Sequence, residues 1–263
     1  MNMSPLQRKF VIKQRIYSIS VTLSRLILFL GFIGIWEFTA DKGIINAFIF
    51  SSPVRLYQTF MDLAKDRVIF MHIWVTLYET IVAFAIITVV GIIFAILLWC
   101  FKGLSDCLEP FMVVLNRLPK SALAPMLIVW LGTNTKAIII TAVSVAIFGM
   151  IINLYTGFLG IDKEKITLIR TLGGNKWHIL CKLIIPGSKK IIISNMKVNI
   201  GLCLVGVIIG EFLAAKKGLG YLIIYGSQVF KMSYVVLGIV ILCIISTILF
   251  ALINIIQNLF LKD

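Results

Sequence analysis

The residues best spaced to act on a solute are Arg117 and Lys120, with Asn116 beside them. Three positions apart, the two cations share a face of any helix that continues through them, and they would suit an anion such as a sulfonate or another oxyanion. They lie in an apolar stretch, where Arg or Lys at mid-helix costs roughly 2.5 to 3.5 kcal/mol on insertion scales, so both must face water or a partner. Two readings stay open: they line a hydrated path and favour an anion, or they snorkel to headgroups or pair with Glu109. Glu79 and Glu211 also fall near the ends of apolar stretches, where a structural hydrogen bond or a headgroup position is a simpler role than solute contact.

Other chemistries are poorly served. His72 and His178 have no acid or cysteine at ligand spacing, so no metal site is expected. Cys100, Cys107, Cys181, Cys203 and Cys243 show no CxxC spacing and read as buried small apolar residues. There is no His/Asp/Glu or Ser/His set of the kind a membrane enzyme needs. The chain also has no GxxxxGK[ST] phosphate loop, so a bound nucleotide or other cofactor is not expected in it.

Residues 162–186, DKEKITLIRTLGGNKWHILCKLIIP, form the only long polar insertion between strongly apolar stretches. Lys163, Lys165, Arg170, Lys176 and Lys182 outweigh Asp162 and Glu164. Asp162 can cap a short amphipathic helix in which Ile169 follows Ile166 by three and Leu172 follows Leu168 by four. Gly173 and Gly174 permit the conformation that ends it, and Asn175 can cap a second helix running through Trp177 toward Pro186. The residues alone allow an interfacial helix on lipid headgroups or a docking elbow, and a Gly hinge followed by a Pro at the next membrane segment favours the elbow.

These groups need a scaffold, and composition defines it. The chain has 263 residues, is 60% apolar and has a mean hydropathy of +1.05. Uncharged runs at 80–101, 137–161 and 232–261 each exceed the roughly 20 residues a helical crossing needs. Hydropathy predicts an all-α, polytopic bundle of about six helices at 18–40, 73–100, 108–131, 137–159, 190–213 and 233–258. Pro119 and Pro125 make the third unlike a plain lipid-facing helix. The fifth carries Lys197 and ends near Glu211. Residues 51–72 read as a short amphipathic helix with a Ser-Pro start and Leu56, Phe60, Leu63 and Ala64 on one side. The expected division is an N-terminal anchor and outer amphipathic segment over 1–72, then a core over 73–258 that contains the 162–186 loop.

The net charge of +14 marks orientation rather than nucleic acid binding, because the basic residues cluster between apolar segments. Fifteen Lys/Arg fall on the side of the N-terminus and the 162–186 loop against eight on the other, which places that side in the cytoplasm. The first apolar run follows a basic start (Arg8, Lys9, Lys13, Arg15), but Arg25 interrupts it and Trp36-Glu37 replaces the small residues of a cleavage site, so it reads as a retained anchor. A stand-alone secondary transporter or channel would need paired ionisable groups deep in several helices, and the second, fourth and sixth are expected to hold none in their interiors.

Gly173, nine residues, Leu183, one residue, then Ile185-Pro186 resembles the G-x9-I-x-L-P tail of the EAA loop in permease subunits of ABC importers. PMLIVWLG at 125–132 and GEFLAAKKGLGYLI at 210–223 resemble the nitrate/sulfonate/taurine type, with similarity in order and spacing over residues 50–258. The resemblance implies a MetI-like bundle in the bacterial inner membrane, paired with a second permease copy as a homodimer and served by two cytoplasmic ATPases and an extracytoplasmic solute-binding protein. ATP and Mg would belong to the ATPases. It also implies ATPase coupling through Glu164, Thr167, Leu168, Ile169, Arg170, Leu172, Gly173, Gly174 and Pro186, and binding-protein docking around Gly218, Gly220 and Tyr221. The family's Glu-Ala-Ala falls on Thr167, Leu168 and Ile169, so the signature acid is missing, and Glu164 stands one helical turn earlier. Its Arg-Pro-Ile-Pro-Pro becomes Asn116, Arg117, Leu118, Pro119 and Lys120, which shifts one positive charge and adds another.

Overall fold

The structure is a computed structural model that describes residues 5–260, all of whose regular elements are helical. The side chains of Arg8, Lys9 and Arg15 lie outside the described set. The chain opens with α1 (Pro5–Asp41), whose apolar part packs little against the rest. Short α2 (Ala47–Phe50) and amphipathic α3 (Pro53–Lys65) follow. The Ser52 hydroxyl caps α3 by accepting from the Arg55 N–H, and Pro53 occupies the first turn, where its missing N–H costs nothing. As the spacing predicts, Leu56 is buried, and Phe60, Leu63 and Ala64 pack beside it.

Next come α4 (Val68–Cys100), α5 (Lys102–Arg117), α6 (Lys120–Leu131) and α7 (Thr135–Leu159). The loop holds α8 (Lys163–Thr171), α9 (Lys176–Ile179), a π-helix (Leu180–Ile184) and a single turn, α10 (Ile185–Gly187). Then α11 (Lys189–Ala214), α12 (Leu219–Gln228) and α13 (Met232–Phe260) complete the bundle. Five of these helices are long and apolar enough to cross a bilayer, and the bent pair α5–α6 makes a sixth.

The third expected crossing, 108–131, is not one helix. Pro119 cannot donate to the backbone ladder, and α5 and α6 meet at 97° across Leu118 and Pro119. No helix continues from Arg117 to Lys120, so the two cations do not share a helical face. The segment 214–232, between the fifth and sixth expected crossings, contains a further helix, α12.

α7 is the central helix, packed along both α4 and α11. Small residues set these crossings. A Cβ on Gly206 would lie 2.6 Å from Cα of Ala142, one on Gly210 would lie 3.0 Å from Ile138, and one on Gly91 would lie 2.7 Å from Met150. Such spacing lets backbones approach closely where lipid offers no hydrophobic drive to helix association. One apolar cluster joins α4, α7, α11 and the π-helix through Leu98, Met150, Leu154, Phe158, Cys203 and Ile184. A second gathers α3, α11, α12 and α13 around Leu56, Ile200, Leu219, Leu222 and Ile241.

Since α4, α7 and α13 run one way while the bent pair α5–α6 and α11 run the other, the bundle has two ends. The 162–188 loop lies at one, with Cys100, Lys102 and Phe260. At the other lie α3, the α6–α7 turn and α12. Of the five cysteines only Cys203 is buried, while Cys107, Cys181 and Cys243 are exposed, so their expected burial is corrected.

Candidate functional site

At the loop end, the Asp162 carboxylate accepts from the N–H of Glu164 and starts α8. Gly173, at φ +79, ends the helix, and Gly174 follows without room for a Cβ, which would strike the side chain and carbonyl of Ile169. Asn175 then starts α9 with a reciprocal pair: its Oδ1 accepts from the His178 N–H, and its own N–H donates to His178 Nδ1. Pro186 has no N–H to return to the carbonyl of Lys182, and the ladder widens there into the π-helix. Ile179, Leu180 and Ile184 root this second half of the loop in the core.

The apolar residues of α8 divide in two. Ile166 and Ile169 pack inward on the core. Leu168 and Leu172 point away, 59% and 78% exposed, and Trp177 joins them at 67%. The expected pairing by spacing is thus split between two faces. Glu164, Thr167 and Arg170 lie on the same helix, all three exposed, while Ile169, Leu172, Gly173, Gly174, His178 and Lys182 line a recess of about 320 Å³. Pro186 lies in the turn that joins the loop to α11.

At the break between α5 and α6, Lys120 Nζ donates to Asn116 Oδ1 at 3.2 Å. Asn116 faces Gly149 of α7, and Arg117 is exposed. Among the described residues neither cation forms an ion pair with Glu109.

The opposite end holds an arrangement that sequence spacing did not bring together. His72, Thr76, Glu79 and Thr80 form a buried stripe on α4. Glu211 of α11 faces it, and Glu79 and Glu211 are each 1% exposed. The two carboxyl groups lie side by side, with Thr135 of α7 next to Glu79. The expectation that α4, the second crossing, holds no paired ionisable group in its interior is therefore corrected.

Around this pair, side chains of α4 and α11 receive the first amides of α12. The N–H of Gly218 donates to His72 Nδ1 at 2.9 Å, and that of Leu219 donates to Thr76 Oγ1 at 2.8 Å. The N–H of Gly220 donates to Glu211 Oε2 at 2.5 Å. Thr76 passes its own proton on, donating to Glu211 Oε1 at 2.7 Å. A helix start normally leaves such donors orphaned, and Gly218 has no side chain with which to cap them. Both glycines are required by contact: a Cβ on either would overlap Glu211, and Gly218 also sits at φ +112.

Of the three residues expected at a docking surface, Gly218 and Gly220 thus face inward on Glu211. Tyr221 lies in a ring series, 6.0 Å from His72 and 5.9 Å from Tyr225, which in turn lies 6.5 Å from Tyr234. Lys231 sits 5.2 Å above the last ring. The signal for the stripe was present at positions 72, 76, 79 and 80, one face of a helix, but its partners lie up to 146 residues away.

A polytopic helical bundle with a broken crossing and a polar elbow rooted in its core is the architecture of a transport permease. The family model "Binding-protein-dependent transport system inner membrane component" matches residues 87–262, and the chain belongs to that family. It is an ABC importer permease. SsuC of Bacillus subtilis (strain 168), named for aliphatic sulfonates transport, is 25% identical, with 88% of this chain and 83% of that protein covered. The formylaminopyrimidine transport permease protein ThiX of Halalkalibacterium halodurans is 26% identical over 74% of this chain and 77% of its own length. RibX of Chloroflexus aurantiacus, a riboflavin transport system permease protein, is 23% identical over 92% and 88%. An inward-facing structure of the MetNI methionine ABC transporter matches the fold with a TM-score of 0.66 at 18% identity, covering 73% of this chain and 96% of that one.

Proposed function

We propose that this chain forms the solute path of an importer for a small anion, such as a sulfonate, nitrate or taurine, and is driven by a separate ATPase through residues 162–186. The observation that carries the coupling role is the exposure of Leu168, Leu172 and Trp177 on an elbow whose other face is rooted in the core. Three large apolar side chains at the polar end of a membrane bundle call for a protein partner. Glu164, Thr167 and Arg170 supply polar contacts around them, Ile169 and the Gly173-Gly174 break set the angle of the elbow, and Pro186 marks where it joins α11. The greater number of Lys/Arg on the elbow's side supports a cytoplasmic elbow and N-terminus in a bacterial inner membrane.

In this reading the chain holds no cofactor, and ATP and Mg bind to two ATPase subunits. A second copy of the permease completes the path, and a solute-binding protein docks on the opposite end, where Tyr221 belongs to the series of rings. Asn116, Arg117 and Lys120 at the α5–α6 break supply the preference for an anion.

Cysteine introduced at Leu168 or Leu172 tests the coupling role, with Ile169→Cys as an inward-facing control. In the assembled importer, a bifunctional thiol reagent is expected to join the first two to the ATPase, and Ile169→Cys at a several-fold lower yield. No adduct from either exposed position would overturn the assignment.

A further inference from the structure

We infer that Glu211, Thr76 and His72 are positioning residues that clamp α12 to α4 and α11, so that the surface opposite the elbow moves as one body with the helix the elbow drives. The inference rests on the coupling role proposed above. Three observations carry it. First, the three leading amides of α12 are received by side chains of two other helices: Gly218 by His72, Leu219 by Thr76 and Gly220 by Glu211. Second, the Thr76 hydroxyl accepts from Leu219 and donates to Glu211, so α4, α11 and α12 meet in one chain of hydrogen bonds. Third, α11 runs without interruption from Lys189, beside the elbow, to Ala214, three residues beyond Glu211.

Buried carboxyl groups are costly in an apolar bundle unless they are hydrogen bonded. Glu211 accepts from Thr76 and from Gly220. The contacts are also specific in shape, since neither Gly218 nor Gly220 could carry a Cβ against this carboxyl group. A glutamine fits the same role: its oxygen can accept from Gly220 while its amide donates to Thr76, whose hydroxyl can turn. A leucine cannot receive either donor. The clamp therefore depends on hydrogen bonding at 211 and not on charge.

The test uses the importer assembled with its ATPase, in a chain whose five native cysteines are replaced. Spin labels at Trp74→Cys on α4 and Gln228→Cys on α12, both exposed positions, report the distance across the clamp. The expected distribution is narrow and has the same mean in the nucleotide-free and ATP-trapped complexes. Glu211→Leu and the near-isosteric Thr76→Val should broaden it at least twofold, and stimulation of ATP hydrolysis by the binding protein should fall at least fivefold. Glu211→Gln should keep both within twofold of the parent. An unchanged distribution in Thr76→Val and Glu211→Leu would overturn the clamp. So would a Glu211→Gln chain as defective as Glu211→Leu, because the charge itself would then be the requirement. If the elbow still crosslinks to the ATPase in these variants, failure of the clamp leaves the coupling role standing. Loss of crosslinking in the parent chain would remove the coupling role instead.

Discussion

Arg117 and Lys120 illustrate how a local break changes what two charges can do. On a continuous helix they would share one face, but Leu118 and Pro119 separate them, leaving Arg117 exposed and Lys120 bonded to Asn116. A solute anion that replaced the Asn116 contact would gain a charge-assisted bond, of the kind that contributes about 1.5 to 3 kcal/mol. Replacing both cations by glutamine should therefore slow anion uptake in proteoliposomes by roughly tenfold or more, since about 1.4 kcal/mol corresponds to a factor of ten. The midpoint of thermal unfolding should change little, because neither side chain is fully buried. Uptake equal to the parent's would remove these residues from the path.

At the scale of elements, the crossings followed from uncharged runs and the helix starts from Ser52, Asp162 and Asn175, because each of these signals is local. Two features were not legible in that way. The 108–131 segment has the composition of one span, and only the geometry at Pro119 divides it. The helix α12 begins at Gly218-Leu219-Gly220, which reads as a turn because the groups that receive its amides lie on α4 and α11. Close packing of α7 on α11 had a legible signal in Gly206 and Gly210, a small-xxx-small pair. Leucine at Gly206 would need the space occupied by Ala142, whereas a Cβ on Gly201 would meet no atom within 4 Å, so the two substitutions should differ sharply. Gly206→Leu is expected to cost several kcal/mol, beyond the usual range of about 1 to 3 kcal/mol for overpacking, since backbone lies in the way. Gly201→Leu should leave the detergent-solubilised unfolding midpoint within a few degrees of the parent. Equal midpoints for both would refute this account of the crossing.

For the whole molecule, the two ends carry different surfaces. One holds the elbow with its uncovered apolar side chains, and the other holds α3, α12 and the ring series. The native cysteines can report which end faces which compartment, since Cys107 and Cys181 are exposed at the elbow end. A membrane-impermeant maleimide is expected to label Cys181 in inside-out vesicles and not in intact cells. Cysteine at Ser227, exposed on α12, should show the reverse pattern. Labelling of Cys181 from outside would invert the proposed topology.

The bend at Leu118 and Pro119 also bears on water. α6 has 12 residues and alone spans about 18 Å, well short of the roughly 30 Å of hydrocarbon. Its opening amides receive no side-chain cap from Pro119, and irregular backbone at such depth needs protein or a wetted cavity around it. Hydration that reaches the bend would thin the insulating layer to little more than half a bilayer, and a passing ion would then meet its main electrical barrier over that shorter distance.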